Sequence, residues 1–587
     1  MLPAPNHVAV TTGQAHVTLD WAPVDGAIGY LVHRDDGAGG PLRPLDHFGG
    51  DVLAVPHPPY ADTTGEPGRT YQYAVAALAD IDEVGPLSAP VAAVAPATGS
   101  AAVAVRVDAG RPLGTLPRPW QPMIGSEHLS HLLSSDTTGG RPIGAELTEA
   151  LRTARAELGV RAVRAHAILC DDLGVYREVD GEPVYDFSRV DEVYDRVLAL
   201  GLRPVVELSF MPRDLAADPS KTVFAYLAVV SPPKDWDRWA DLVGNLVRHL
   251  VARYGLDEVR QWPFEVWNEA NLEVFWSANR AEYLRMYDVT ARAVKEVHPE
   301  LVVGGPASAA AGWVGDLLAH VKQSGALIDF VSTHTYGSPP LDLRPLCVRH
   351  GRPDLRILWT EWGATPTHFA SVSDDVFAAA FLLRGMRSAA GRVDALSYWV
   401  ASDHFEELGR PPRLFHGGFG LLTVGNLRKP RYWALYLLER LGRERLAVSL
   451  DGDGADGLVE ALATRDDDGR VAILIWNATL DQSKAAGAPA LDRQVRLEIA
   501  GLAEPRYRLS HWRVDRDHSN VRAVWEELGG GDWPDEDQWR LLRSRNTLEA
   551  YGPQQQLLAR DATVLLDLTL PMPAISYLEL RPVESRP

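Results

Sequence analysis

Pro263-Phe-Glu-Val-Trp-Asn-Glu-Ala-Asn-Leu272 is a short apolar run that ends on polar side chains. The stretch Ala281 to Val297 follows it, with Tyr283, Tyr287, Ala291 and Val294 on one helical stripe. A strand leading into an amphipathic helix is the repeating part of a parallel sheet. Working outward, seven more such runs occur with helical patterns between them. They are Pro122-Met-Ile-Gly125, Ala162-Val-Arg-Ala-His166, Arg203-Pro-Val-Val-Glu-Leu208, Leu301-Val-Val-Gly-Gly305, Phe330-Val-Ser-Thr-His334, Arg356-Ile-Leu-Trp-Thr360 and Ala395-Leu-Ser-Tyr-Trp399. Eight strands with intervening helices predict a (β/α)8 TIM barrel over residues 115–442, a doubly wound sheet being the alternative. In a barrel, chemistry gathers where the strands end.

Both flanks have a different texture. Residues 1–98 alternate apolar and polar positions, as in His16-Val-Thr-Leu-Asp-Trp21 and Tyr71-Gln-Tyr-Ala-Val-Ala-Ala-Leu78, between Gly, Pro and Asp turns. This is the period of an antiparallel β-sandwich. With Gly29-Tyr30-Leu31-Val32, Tyr73 and the closing Gly85-Pro-Leu-Ser-Ala-Pro90, the segment resembles a fibronectin type III domain, which implies a spacer or docking module. Val91 to Thr98 reads as its exit linker. Beyond residue 443 the helical pattern stops. Val471-Ala-Ile-Leu-Ile-Trp476, Val495-Arg-Leu-Glu-Ile499 and Ala562-Thr-Val-Leu-Leu-Asp-Leu568 predict a C-terminal β-sandwich over 443–587.

Composition sets the outer bounds. The 587 residues include 58 Lys plus Arg and 78 Asp plus Glu, a formal charge of −20, which disfavours nucleic acid as a partner. No apolar run is long enough for a membrane span. Cys170 and Cys347, far apart in sequence, give neither a disulfide framework nor a CxxC-type metal or redox motif. The N-terminus lacks a basic and then apolar leader pattern, so the expectation is a cytoplasmic protein, or a secreted one if a leader has been removed. The 17 Trp suit either sugar-ring stacking or core filling.

Trp267-Asn268-Glu269 and Trp359-Thr360-Glu361 each place a carboxylate at a strand end in an aromatic setting. Strand alternation predicts that Trp267 shares a face with Glu269, and Trp359 with Glu361. Two carboxyls converging at one barrel mouth are what cleavage of a glycosidic bond requires, one to protonate the leaving oxygen and one to attack or stabilise the anomeric carbon.

Five motifs in order resemble glycoside hydrolase family 39, which holds β-xylosidases and α-L-iduronidases. They are Trp267-Asn-Glu-Ala-Asn-Leu272, Leu358-Trp-Thr-Glu-Trp-Gly363, Val163-Arg-Ala-His166, Ser332-Thr-His-Thr-Tyr-Gly337, and Tyr398-Trp-Val-Ala-Ser-Asp-His-Phe-Glu-Glu407 with His416-Gly-Gly-Phe-Gly-Leu-Leu422. Trp512-Arg-Val-Asp-Arg-Asp-His-Ser-Asn520 looks like that family's accessory β-domain, so the resemblance covers about residues 115–587. It implies Glu269 as acid/base, Glu361 as nucleophile and a retaining mechanism. Three departures bear on sugar specificity: Ala270 stands where the family has Pro, Ala167 where Gly often follows the His, and His404 where an aliphatic residue is common.

The other polar strand ends supply candidate substrate contacts. Asn268 can bond a sugar 2-OH. Arg164 can hold the nucleophile ionised and His166 can bind a hydroxyl. His334 and Tyr336 are placed to bond Glu361, Trp399 to form a sugar platform, and Asp403, Glu406 and Glu407 to bind hydroxyls. Glu127-His128-Leu-Ser-His131 lacks the further ligands a metal needs, so neither metal nor cofactor is expected. The reading is a retaining exo-glycosidase on small oligosaccharides or glycosides, pentosides favoured. Another family specificity, a transglycosidase and a non-catalytic carbohydrate-binding protein are the alternatives, with a homo-oligomer left open.

Overall fold

The structure is a computed structural model describing residues 1–47 and 54–583. The eight runs form one parallel sheet in chain order. Its strands are Ile124–Ser126, Ala162–Ala165, Arg203–Leu208, Pro263–Val266, Val302–Ser308, Phe330–Tyr336, Arg356–Gly363 and Ala395–Tyr398. The ring nearly closes where the first strand meets the eighth, with Ala401 N donating to Gly125 O at 2.9 Å. This is the TIM barrel that the alternation of strand and helix predicts. Helix Arg280–Val297 starts where Asn279 Oδ1 accepts Glu282 N at 3.0 Å, an N-cap. Its stripe of Tyr283, Tyr287, Ala291 and Val294 is fully buried, and the Tyr283 hydroxyl donates to Val266 O and Pro306 O, tying the helix to the fourth and fifth strands.

The N-terminal segment is two antiparallel sheets, one built on Ala9–Gly13, His16–Asp20 and Tyr60–Asp62, the other on Gly29–Arg34 and Thr70–Asp80. Trp21, Tyr30 and Tyr73 are buried in it, Trp21 and Tyr30 meeting edge-on at 5.2 Å. Val91–Val94, expected as linker, is a strand paired with Thr70–Tyr73; alternating small residues suit an edge strand as well as a tether. The module is held against the rest of the chain. Arg349 donates to Ala79 O and Gly26 O at 2.9 and 3.0 Å, and Thr63 and Thr479 share a 2.8 Å bond.

Among the described residues the C-terminal sheet has nine strands, and one comes from ahead of the barrel. Ala102–Thr115 lies between Glu444–Gly452, antiparallel, and Arg493–Ala500, parallel. Helix does not stop at residue 443, however: Val521–Glu527 and Glu536–Arg545 are helical. They are short and strongly polar, so their apolar stripe is thin. Asp535 and Gln538 nevertheless form a capping box that the sequence spells out. Their Trp525, Trp539 and Leu542 pack on Leu414 and Leu427 beside the barrel mouth. Cys170 and Cys347 are buried free thiols. No described helix is long and apolar enough to cross a membrane.

Candidate active site

Glu269 and Glu361 both lie at the C-terminal mouth of the barrel. The fourth strand stops at Val266, and Trp267 and Glu269 adopt left-handed backbone at φ 68° and 44°. Strand alternation therefore fails there. The Trp267 indole turns out to Trp239 and Trp276 and donates to Phe275 O, while Glu269 turns into the mouth. On the seventh strand the register with the sixth slips after Thr333–Trp359, so that His334 next pairs Glu361 and Thr360 is the extra residue of a bulge. Thr360 and Glu361 consequently both meet polar partners in the mouth and Trp359 stays in the core. Neither Trp shares its face with the neighbouring carboxylate as alternation predicts.

One oxygen of Glu269, one of Glu361 and a ring nitrogen of His334 lie within 4.8 Å of one another. Glu361 accepts Arg164 Nη1 at 2.6 Å and the Tyr336 hydroxyl at 2.7 Å. Arg164, wholly buried, also donates from Nε to Glu265 at 2.6 Å and from Nη2 to Asn268 Oδ1 at 2.9 Å, and lies 2.7 Å from Glu207. His166 is held between Glu207 at 2.9 Å and Glu407 at 3.3 Å, and these carboxylates keep it an imidazolium despite its burial. Burial pushes Glu269 far above the usual carboxyl range, and the charge of Glu361 pushes it further. Burial raises Glu361 too, but Arg164, His166 and the Tyr336 hydroxyl oppose it. Two fixed cations here already serve Glu207, Glu265, Glu361 and Glu407. A proton shared by the pair therefore resides on Glu269, and Glu361 is the carboxylate. One carboxyl that can give a proton stands beside one that can donate an electron pair.

The remaining candidates divide. Arg164 takes the Oδ1 of Asn268, which leaves the amide nitrogen to donate to a ligand. Trp399 is buried against His166 and lies flat on the first strand, where a Cβ on Gly125 would be 2.3 Å from its ring. Glu407 is in the mouth, pinned by His166 and His368, the latter at 2.9 Å. His334 does not take Glu361 as its partner. Its Nδ1 is 3.6 Å from that residue but 2.8 Å from Glu269, which the left-handed turn brings nearer. Nor is His166 free for a hydroxyl, since carboxylates face both ring nitrogens. Asp403 is 3% exposed, paired with Lys429 at 2.6 Å and accepting Gly420 N at 2.8 Å, so it braces the loop from inside. Glu406 turns away to His131 at 2.6 Å and to Arg410. With His128 these form a cluster at the rim, and the Arg410 guanidinium lies on both the carboxylate and His131.

Of the three departures, Ala167 has φ 72°, a conformation that favours glycine. Ala270 is buried next to Glu269, and His404 points away from the mouth to Glu146 at 2.8 Å. Sequence reasoning missed Glu207, Glu265, Thr360 and His368. Glu207 and Glu265 sit inside apolar strands, where a charged residue with no room for solvent is itself the signal.

A family model described as Glycosyl hydrolases family 39 matches residues 103–349 and 344–554, leaving the N-terminal module outside it. A Beta-xylosidase of Geobacillus stearothermophilus is 34% identical over 476 residues, 76% of this chain and 91% of that protein. One of Caldicellulosiruptor saccharolyticus is 31% identical over 467 residues, 76% and 92% of the two chains. The crystal structure of a monomeric beta-xylosidase from Caulobacter crescentus CB15 superposes with a TM-score of 0.71 at 32% identity, covering 82% of this chain and all of that one.

Proposed function

The chain belongs to glycosyl hydrolase family 39 and is a glycoside hydrolase, and on that premise we propose that it is a retaining exo-glycosidase acting on pentosides such as β-xylosides. The observation that carries the retaining mechanism is the approach of one Glu269 oxygen and one Glu361 oxygen to within 4.8 Å. Retaining pairs stand about 5–5.5 Å apart, whereas inverting pairs leave about 6.5–9.5 Å for a water.

Glu361 attacks the anomeric carbon while Glu269 gives its proton to the departing oxygen, leaving a glycosyl ester on Glu361. Glu269, now a carboxylate, removes a proton from water, and the oxygen of that water displaces Glu361 from the carbon. Two inversions restore the starting configuration. Arg164 and Tyr336 hold Glu361 in line and ionised beforehand, and the amide of Asn268 donates to the sugar 2-OH as charge develops. The carboxylate of Glu407 favours a neutral sugar over a uronate, and the names of the two relatives above agree with a xyloside.

A panel of aryl glycosides tests the reading. Turnover of the β-xyloside with retained configuration is the expected result. Turnover of other members with the β-xyloside ignored would overturn the pentoside reading, and an inverted product would overturn retention.

A further inference from the structure

We propose that Thr360 and Glu265 are positioning residues that lock His334 in its Nε2–H tautomer, so that its Nδ1 accepts the proton of Glu269 and keeps that carboxyl in acid form. The proposal rests on the reading of Glu269 as acid/base and adds how its proton is held.

The direction of each hydrogen bond follows from the donor that precedes it. Glu265 Oε2 receives Arg164 Nε at 2.6 Å, and its Oε1 lies 2.8 Å from the Thr360 hydroxyl. A carboxylate only accepts, so Thr360 gives its single proton to Glu265. The Thr360 oxygen is also 3.1 Å from His334 Nε2, and having spent its proton it can only accept there. Nε2 must then carry hydrogen. His334 is wholly buried, and burial with Arg164 and His166 nearby holds its pKa well below the usual value, so the ring is neutral and Nδ1 bears a lone pair. That lone pair faces Glu269 Oε1 at 2.8 Å. Two acceptors would repel at this distance; a protonated Glu269 donates. The reverse tautomer would set Nε2 and the Thr360 oxygen lone pair to lone pair, or leave Glu265 Oε1 without its donor.

The charged and titratable groups facing this chain are Arg164, His166, Glu265, Glu361, Glu407 and Tyr336. Arg164 therefore anchors both carboxyls of the pair, Glu361 by direct contact and Glu269 through Glu265, Thr360 and His334. The bulge at Thr360 is what brings its hydroxyl into line.

Two measurements test the assignment. In the unaltered enzyme with 15N-labelled histidine, the His334 resonances, assigned with His334→Asn, should show a protonated Nε2 and an unprotonated Nδ1 at neutral pH. Protonation at Nδ1 would overturn the proposal, whatever the variants do. Thr360→Val removes the acceptor, frees the ring to donate from Nδ1 and so favours ionised Glu269. The basic limb of kcat/KM should fall by about one pH unit, with about a tenfold loss on an alkyl glycoside and little on a dinitrophenyl glycoside. Thr360→Ser should restore both. An unmoved limb in folded Thr360→Val would refute the relay. If Glu269→Gln lowers kcat/KM equally on the alkyl and the dinitrophenyl glycoside, the acid/base reading fails separately, and the tautomer result stands by itself.

Discussion

Arg164 and Glu361 are 197 residues apart in the chain and meet at 2.6 Å inside the barrel, with no solvent on the guanidinium. The contact fixes which carboxyl of the pair stays charged. Arg164→Met leaves Glu207, Glu265 and Glu361 without their common cation, so it should cost about 3–5 kcal/mol of stability. In whatever fraction still folds, the acid limb of kcat/KM should move to higher pH, because Glu361 then ionises later. Denaturation and a pH profile read the two effects separately.

The two carboxyls should fail differently when removed. Glu361→Ala should lose activity on every leaving group. Glu269→Ala should still form the intermediate from a dinitrophenyl glycoside and accumulate it as a burst, since water then lacks its base. Azide needs no deprotonation. It should rescue Glu269→Ala to a glycosyl azide of retained configuration, and Glu361→Ala only to the inverted one. Exchanged patterns would reverse the roles.

Glu269 should also appear in the pH dependence of folding. Its native pKa is raised, so the folded state binds the proton more tightly than the unfolded chain. That contribution is complete below about pH 4.3, the ordinary glutamate pKa, and is lost as the pH climbs to the native value. Every pH unit between those two values corresponds to about 1.4 kcal/mol. Glu269→Gln mimics the protonated form. Its melting temperature should match the parent near pH 4 and exceed it increasingly toward neutrality. A constant offset across the range would contradict the raised pKa.

Asp403 and Lys429 should behave as structure. Asp403→Asn should lower thermal stability by about 1–3 kcal/mol, since Asp374 still meets Lys429 at 2.6 Å, while the KM of the folded variant stays close to the parent value. A large rise in KM at unchanged stability would return Asp403 to the substrate.

Glu407→Gln should erode the preference for neutral sugars. Comparing an aryl β-xyloside with an aryl iduronide, the ratio of kcat/KM should move about tenfold toward the uronide, roughly the value of one nearby like charge. An enzyme that prefers the iduronide from the start would overturn the pentoside reading.

The barrel was legible because eight apolar runs and their helices repeat, and repetition survives errors at single boundaries. The position of Glu269 and Glu361 at the mouth was legible because each closes such a run. The partners were harder. The expectation that His334 bonds Glu361 came from adjacency of strands, but the left-handed turn at Trp267 and Glu269 carries the Glu269 carboxyl across to it. Asp403 and Glu406 looked like Glu407 in sequence, and only packing separates a brace, a rim contact and a mouth residue. The bulge at Thr360 left no local mark, since bulges arise from pairing with another strand.

The strand Ala102–Thr115 sits inside the C-terminal sheet, between Glu444–Gly452 and Arg493–Ala500, although the whole barrel separates it from these neighbours in the chain. As the polypeptide leaves the ribosome, Val103, Val105 and Val107 emerge long before Glu444–Gly452 and Arg493–Ala500 exist to cover them. The nascent chain must carry this sticky ribbon unpaired through the synthesis of more than half its length, open to the wrong strand or to a holding chaperone. A shortened gene that begins just after Thr115 would keep every barrel strand and still cut Arg493–Ala500 and Val564–Leu570 off from the rest of the last sheet.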